Sequence, residues 1–171
     1  MNSAFANLFL LLQQRVVDNV PGITYIDQDL GQLRPNPDDT FPVTFPCLLI
    51  DLDYFTFKEL SENVQTASGT IVLKLGFSTY SSSNQAATEE TKEAALAFYD
   101  IEWALHQALQ GWDPGDYFGH LDRLSVHTEK RGDALRVREI RYTVGFEDYS
   151  TKYQQSTVPA EVDVNPEIIT D

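Results

Sequence analysis

Cysteine occurs once in this 171-residue chain, at Cys47, and histidine three times. A single cysteine excludes an internal disulfide. Set in the apolar run Pro46 to Ile50, it reads as a buried structural thiol rather than a nucleophile. No two of His106, His120 and His127 stand at metal-ligand spacing, and each reads as a satisfied or solvated side chain. Basic residues are scarce: 12 Lys and Arg stand against 26 Asp and Glu, a formal charge of −14. Neutralising phosphates needs the opposite balance, which argues against nonspecific nucleic-acid binding and against docking to an anionic membrane. No apolar run reaches about 18 residues, so no membrane-spanning helix is expected. The N-terminal stretch has no basic region ahead of an apolar one, and neither a signal peptide nor a transit peptide is expected. P-loop, dinucleotide-binding, nucleophile-elbow, zincin and CxxC patterns do not occur, so no cofactor is expected.

What is present is enough apolar residue, 42% of the chain, to build a core. The strongest local signal is a helix over 88–109. Thr88 caps its start, Glu89 and Glu90 suit the positive end of the dipole, and Gly111 follows its end. Ala94, Phe98, Ile101, Leu105 and Ala108 recur at spacings of three and four, forming one apolar stripe. An earlier helix over 1–20 has Ser3 as its cap, an apolar face of Phe5, Leu8, Phe9, Leu12 and Val16, and Pro21-Gly22 as its stop.

Strands are expected over 23–30, 45–57, 69–79, 120–128 and 134–147. In the second, Leu48, Ile50, Leu52 and Tyr54 are expected on one face, with Leu49, Asp51, Asp53 and Phe55 on the other. Leu124 and Val126 are expected to face one way. Residues 31–42 carry three prolines and read as a loop, 58–68 as a polar connector, and 129–133 as a hairpin turn. Strands outnumber crossover helices. The expected fold is α+β, a mostly antiparallel or mixed sheet with two helices on one face, spanning 1–149. Residues 150–171, acidic and without a period, read as an extended C-terminal arm or a disordered tail.

Three groups of residues are candidates for function. Leu96, Tyr99 and Trp103 form an aromatic-rich strip on the back of the central helix, where a helix with one core face should be polar. Arg136 and Arg138, alternating on the last strand, are candidate ion-pair donors to a neighbouring strand or subunit. Asp51 and Asp53 sit two apart on one strand face, either as a cation-binding pair or as the solvent face or charged lumen of a sheet.

The order and texture of these elements resemble the tail terminator, or tail completion, proteins of tailed bacteriophages. The resemblance covers roughly residues 4–150. It rests on the N-terminal helix, the strand FPCLLID after a proline, the strand IVLKLGF, the helix ending ALHQAL, and the closing strand LRVREIRYTVGFED. The 31–42 loop and the 150–171 arm depart from it. The resemblance implies a non-enzymatic virion part, assembled in the host cytoplasm. It implies a homo-oligomer, a hexameric ring that ends the tail tube and joins it to the head connector. DNA would pass through that ring without tight binding, and the strip Leu96, Tyr99 and Trp103 with Arg136 and Arg138 would serve the subunit interface. A different class of reading is a small metal- or ligand-binding enzyme domain using Asp51, Asp53 and His127, which requires those groups to converge.

Overall fold

Two helices supply the layer that covers one side of the sheet, and their apolar spacing dictates how. In α1, Ala4–Asn19, Leu8, Leu12 and Val16 repeat every four residues and are all buried. The Ser3 hydroxyl caps its start by accepting from the Ala6 N–H at 3.5 Å. The second helix is broken. Instead of one helix over 88–109, the chain forms α2, Glu89–Leu96, and α3, Phe98–Leu109. Thr88 is the N-cap of α2, as the sequence indicated, and Gly111 follows α3 with φ +70°. At the break the Asp100 N–H donates to the Ala97 carbonyl three residues back, at 3.2 Å. Tightening the turn there rotates the stripe. Ala95 is buried where Ala94 was expected, and the stripe runs on through Phe98, Leu105 and Leu109. The described residues comprise 3–34, 43–78, 81–115 and 117–152 of the chain in a computed structural model.

The strands are β1 (Tyr25–Gln28), β2 (Cys47–Ser61), β3 (Val64–Ser78), β4 (Asp122–Glu129) and β5 (Leu135–Asp148). They form one sheet in the order β1-β2-β3-β5-β4 among the described residues. Only the β1–β2 pairing is parallel. This is the α+β, mixed-sheet architecture expected, with the helices on one face. Leu48, Ile50, Ile71, Leu73, Leu75, Ile140 and Val144 meet α1 and α3 in a single core. Burying each large aliphatic side chain there contributes roughly 1.5–3 kcal/mol before entropy. Arg15 ties the helices together, its Nε donating to the Ala108 carbonyl at 2.9 Å near the negative end of α3.

A smaller cluster of Leu33, Cys47, Leu49 and Val137 lies on the opposite face, so the sheet is covered there at one end only. Cys47 is fully buried, as expected of a structural thiol, and burial pushes it up to about 11.

Three expectations fail at irregularities. Residues 58–68 are not a connector. They are the distal arms of a 15-residue-per-strand hairpin, turned by Glu62 and Asn63 at φ 52° and 62°. Two consecutive positive φ values match the twist a two-residue turn needs, and asparagine tolerates them. Next, a bulge between Leu52 and Tyr54 reverses the strand's alternation. Phe55 therefore turns into the core against Phe5 and Phe146, at ring distances of 5.0 and 5.9 Å, while Tyr54 is exposed. A second bulge, between Arg123 and Ser125, turns Leu124 out to solvent while Val126 packs on the core. Residues 35–42 of the expected loop and 153–171 of the expected arm lie outside the described residues.

The first bulge lays Phe55 across Gly69, where an added Cβ would lie 2.3 Å from the ring. Gly69→Ala is expected to cost about 1–3 kcal/mol in urea unfolding. Gly132→Ala, in open space, should change stability by less than about 0.5 kcal/mol. Equal midpoints for the two variants would contradict this packing.

Candidate subunit-contact surface

The break at Ala97 leaves the back of the helical layer apolar. Leu96, Tyr99 and Trp103 are 44%, 46% and 62% exposed, and no described segment of the chain covers them. The strip is held from below by cations. Arg136 lies over the Phe98 ring at 4.0 Å and within 6.0 Å of Tyr99, and the Tyr99 ring lies tilted against Phe98 with centroids 3.9 Å apart. Arg138 donates from Nε and Nη2 to the two oxygens of Glu102, both at 2.7 Å, and bonds the Thr128 hydroxyl from Nη1. Both partners of that bidentate pair are largely shielded from solvent.

The acid expected for Arg138 on a neighbouring strand or subunit is thus on α3 of the same chain. Arg138 clamps the helix to β5. Arg136 forms no ion pair among the described residues, and none of its donors is buried and unpaired, so its free N–H groups face solvent.

His106 sits under the same flank. Its Nδ1 is 3.2 Å from the Tyr142 hydroxyl. Burial, then the Arg123 charge, pushes the imidazole below its ordinary value, against a smaller opposing pull from Glu102. Burial also pushes Tyr142 up to about 12. The pair is neutral near pH 7.

Asp51 and Asp53 are on the sheet face away from the helices, both exposed. That face is mixed rather than purely acidic. Asp53 accepts from Arg141 Nη1 at 3.3 Å, Glu139 from Arg141 Nε at 2.8 Å, and Lys74 pairs with Asp29 at 2.7 Å. Asp51 forms no ion pair among the described residues. Its carboxyl is raised, first by burial and then by Asp29 and Asp53, with Lys74 pulling the other way.

The strand order separates the groups the enzyme reading needs. His127 pairs with Glu139, which pairs with Lys74, which pairs with Leu49, so it is three strands from the β2 carboxylates. Among the described residues no three His, Cys, Asp or Glu side chains stand together as a metal site.

Sequence reasoning did not find a groove of about 560 Å³ at the opposite flank. β1 ends at Gln28, opposite Ile50, the Asp29 N–H still bonds the Ile50 carbonyl, and the next residues of β2 have no paired strand on that side among the described residues. The groove lies between this edge and α1, walled by Phe5, Phe9, Leu10, Leu30 and Leu52, with Asp51 on its rim. Only pairing register reveals where β1 stops.

No family model matches the chain, and no curated protein matches it. Among solved structures, it is similar to a chain in the virion of a native gene transfer agent (GTA) particle. The TM-score is 0.51 at 15% identity, over 86% of this chain and 99% of that one. At that identity the likeness is one of fold.

Two measurements check the surface. Trp103→Ala should leave monomer stability within about 0.5 kcal/mol, because the ring is already in water, whereas Glu102→Gln should cost about 1–3 kcal/mol by stripping charge from the Arg138 clamp. A large loss at Trp103 would place the ring in the core instead. The second is a titration. A histidine with a lowered folded value binds its proton later than the unfolded chain does. Its contribution is fully present above the ordinary histidine range and fades as pH falls below it. Stability measured across that range should fall less steeply in His106→Gln than in the parent, and an unchanged slope would count against the buried neutral pair.

Proposed function

We propose that the chain is a structural virion protein of a phage-like particle, and that in the particle it forms a ring ending the tail tube and joining it to the head connector. The observation that carries this reading is the uncovered strip Leu96, Tyr99 and Trp103, set on a helix whose other side is core. Exposed clustered aromatics beside arginine are the composition of a contact centre, where a few residues supply most of the binding energy. The fold shared with a chain of a gene transfer agent virion, over nearly the whole of that chain, supports the setting.

A ring also suits the charge. A −14 subunit repels phosphate, and a DNA molecule moving through an acidic opening meets little to hold it. Asp51 and Asp53 are candidates for that lining. The 150–171 arm is proposed as an assembly contact with tube or connector proteins.

Negative-stain imaging and co-sedimentation with the tube protein of the same particle test the reading. Closed rings, or caps on tube ends, are expected from the parent chain. Trp103→Asp should abolish them while leaving a folded monomer. A parent chain that stays monomeric at every concentration and ignores the tube would overturn the proposal.

A further inference from the structure

Building on the reading of the chain as a self-associating virion protein, we infer that its contact is head-to-tail: the Leu96, Tyr99 and Trp103 strip of one copy fills the α1–β2 groove of the next, with Arg136 of the first meeting Asp51 of the second.

The placement of the two surfaces argues for this. α3 is fixed to the β5–β4 side of the sheet by Glu102 with Arg138, which also bonds Thr128, by His106 with Tyr142, and by Gln110 with Asp122 at 2.9 Å. The groove is on the other flank, where β1 stops and β2 continues. One surface projects and the other recedes. Trp103 is the most exposed of the three strip residues, and the groove is apolar-walled and wide enough for an indole.

Their charges are complementary and both are unspent. Arg136 keeps its guanidinium on the Phe98 ring with donors facing solvent and no carboxylate among the described residues. Asp51, on the groove rim, forms no ion pair among them; burial, then Asp29 and Asp53, disfavour its charge, with Lys74 pulling the other way. A guanidinium delivered to that rim relieves the repulsion.

Geometry then sets the kind of assembly. In a two-fold dimer each surface must meet its complement on the same partner at once. Surfaces on opposite flanks of one sheet do not satisfy that requirement. Each copy instead offers one surface to each of two neighbours, and such an arrangement either closes into a ring or runs on as a filament.

Sedimentation of full-length variants, each checked for parental unfolding temperature, tests the docking. Asp51→Arg alone and Arg136→Asp alone should each weaken association about tenfold or more, and the two together in one chain should restore it. A second pair tests direction without charge. Trp103→Asp spoils the projecting surface and Leu10→Glu the receding one. Each alone should be monomeric, and an equimolar mixture should form a dimer and nothing larger. Single reversals without effect, a double reversal that folds but does not restore, or a mixture that stays monomeric would overturn this docking. If Trp103→Asp alone abolishes assembly while both groove variants assemble normally, self-association through the strip stands and this docking falls. A parent chain that never associates removes both.

Discussion

Everything in this fold hangs on β3. It is paired along nearly its whole length on both sides, to β2 and to β5, so its backbone polar groups are satisfied within the sheet. That leaves its side chains to decide which face is covered. Ile71, Leu73, Leu75 and Phe77 point one way and are buried, so the helices must lie there. Lys74 points the other way, and it pulls Asp29 in from the chain after β1. The central strand thereby fixes a helical layer on one side and an ionic face on the other.

The irregularities of the flanking strands then shape the surfaces. Without the bulge at Asp53, Tyr54 would point into the core and Phe55 into water. With it, Phe5, Phe55, Phe57 and Phe146 pack together at the base of the long hairpin, edge to face except for the tilted pair Phe55 and Phe146. The bulge in β4 likewise turns Leu124 outward to solvent. A bulge costs one pairing position and redirects every side chain beyond it.

This explains what the sequence disclosed. Period 3.6 in α1 and period 2 in β3 and β5 are collective signals over many residues, and they survive small errors of phase. The helices, five strands and inner core were legible for that reason. So was the exposed strip, because Leu96, Tyr99 and Trp103 share no face with Phe98 and Leu105. A bulge is a single-residue event with no period, so alternation alone puts Tyr54, Phe55 and Leu124 on the wrong faces. The polar hairpin arm read as a connector because its alternation carries Thr, Lys, Glu and Ser rather than large apolar residues. The break at Ala97 involves neither glycine nor proline, and no composition rule marks it. Pairing partners such as Glu102 for Arg138 are long-range, and charge counting alone does not assign them.

The basic residues of an acidic chain carry more meaning than their number suggests. Arg15, Arg131, Arg138 and Arg141 are engaged internally, by a helix-end carbonyl, a turn, a helix and, across β3, the strand β2. Each holds two elements, or the two ends of a turn, in place through a directed fork that lysine does not provide. Arg136 differs: it is positioned with the same rigidity, on an aromatic face, yet its donors have no acid to bond. A cation that is ordered but unpaired has already lost its conformational freedom, so a partner carboxylate gains the charge interaction at low entropic cost. Asp51 carries the opposite sign on an exposed strand position and forms no ion pair among the described residues. In a chain whose surplus charge is negative, the proposed docking would set the scarce sign where a copy of the chain offers the abundant one, which would make self-recognition selective rather than merely adhesive.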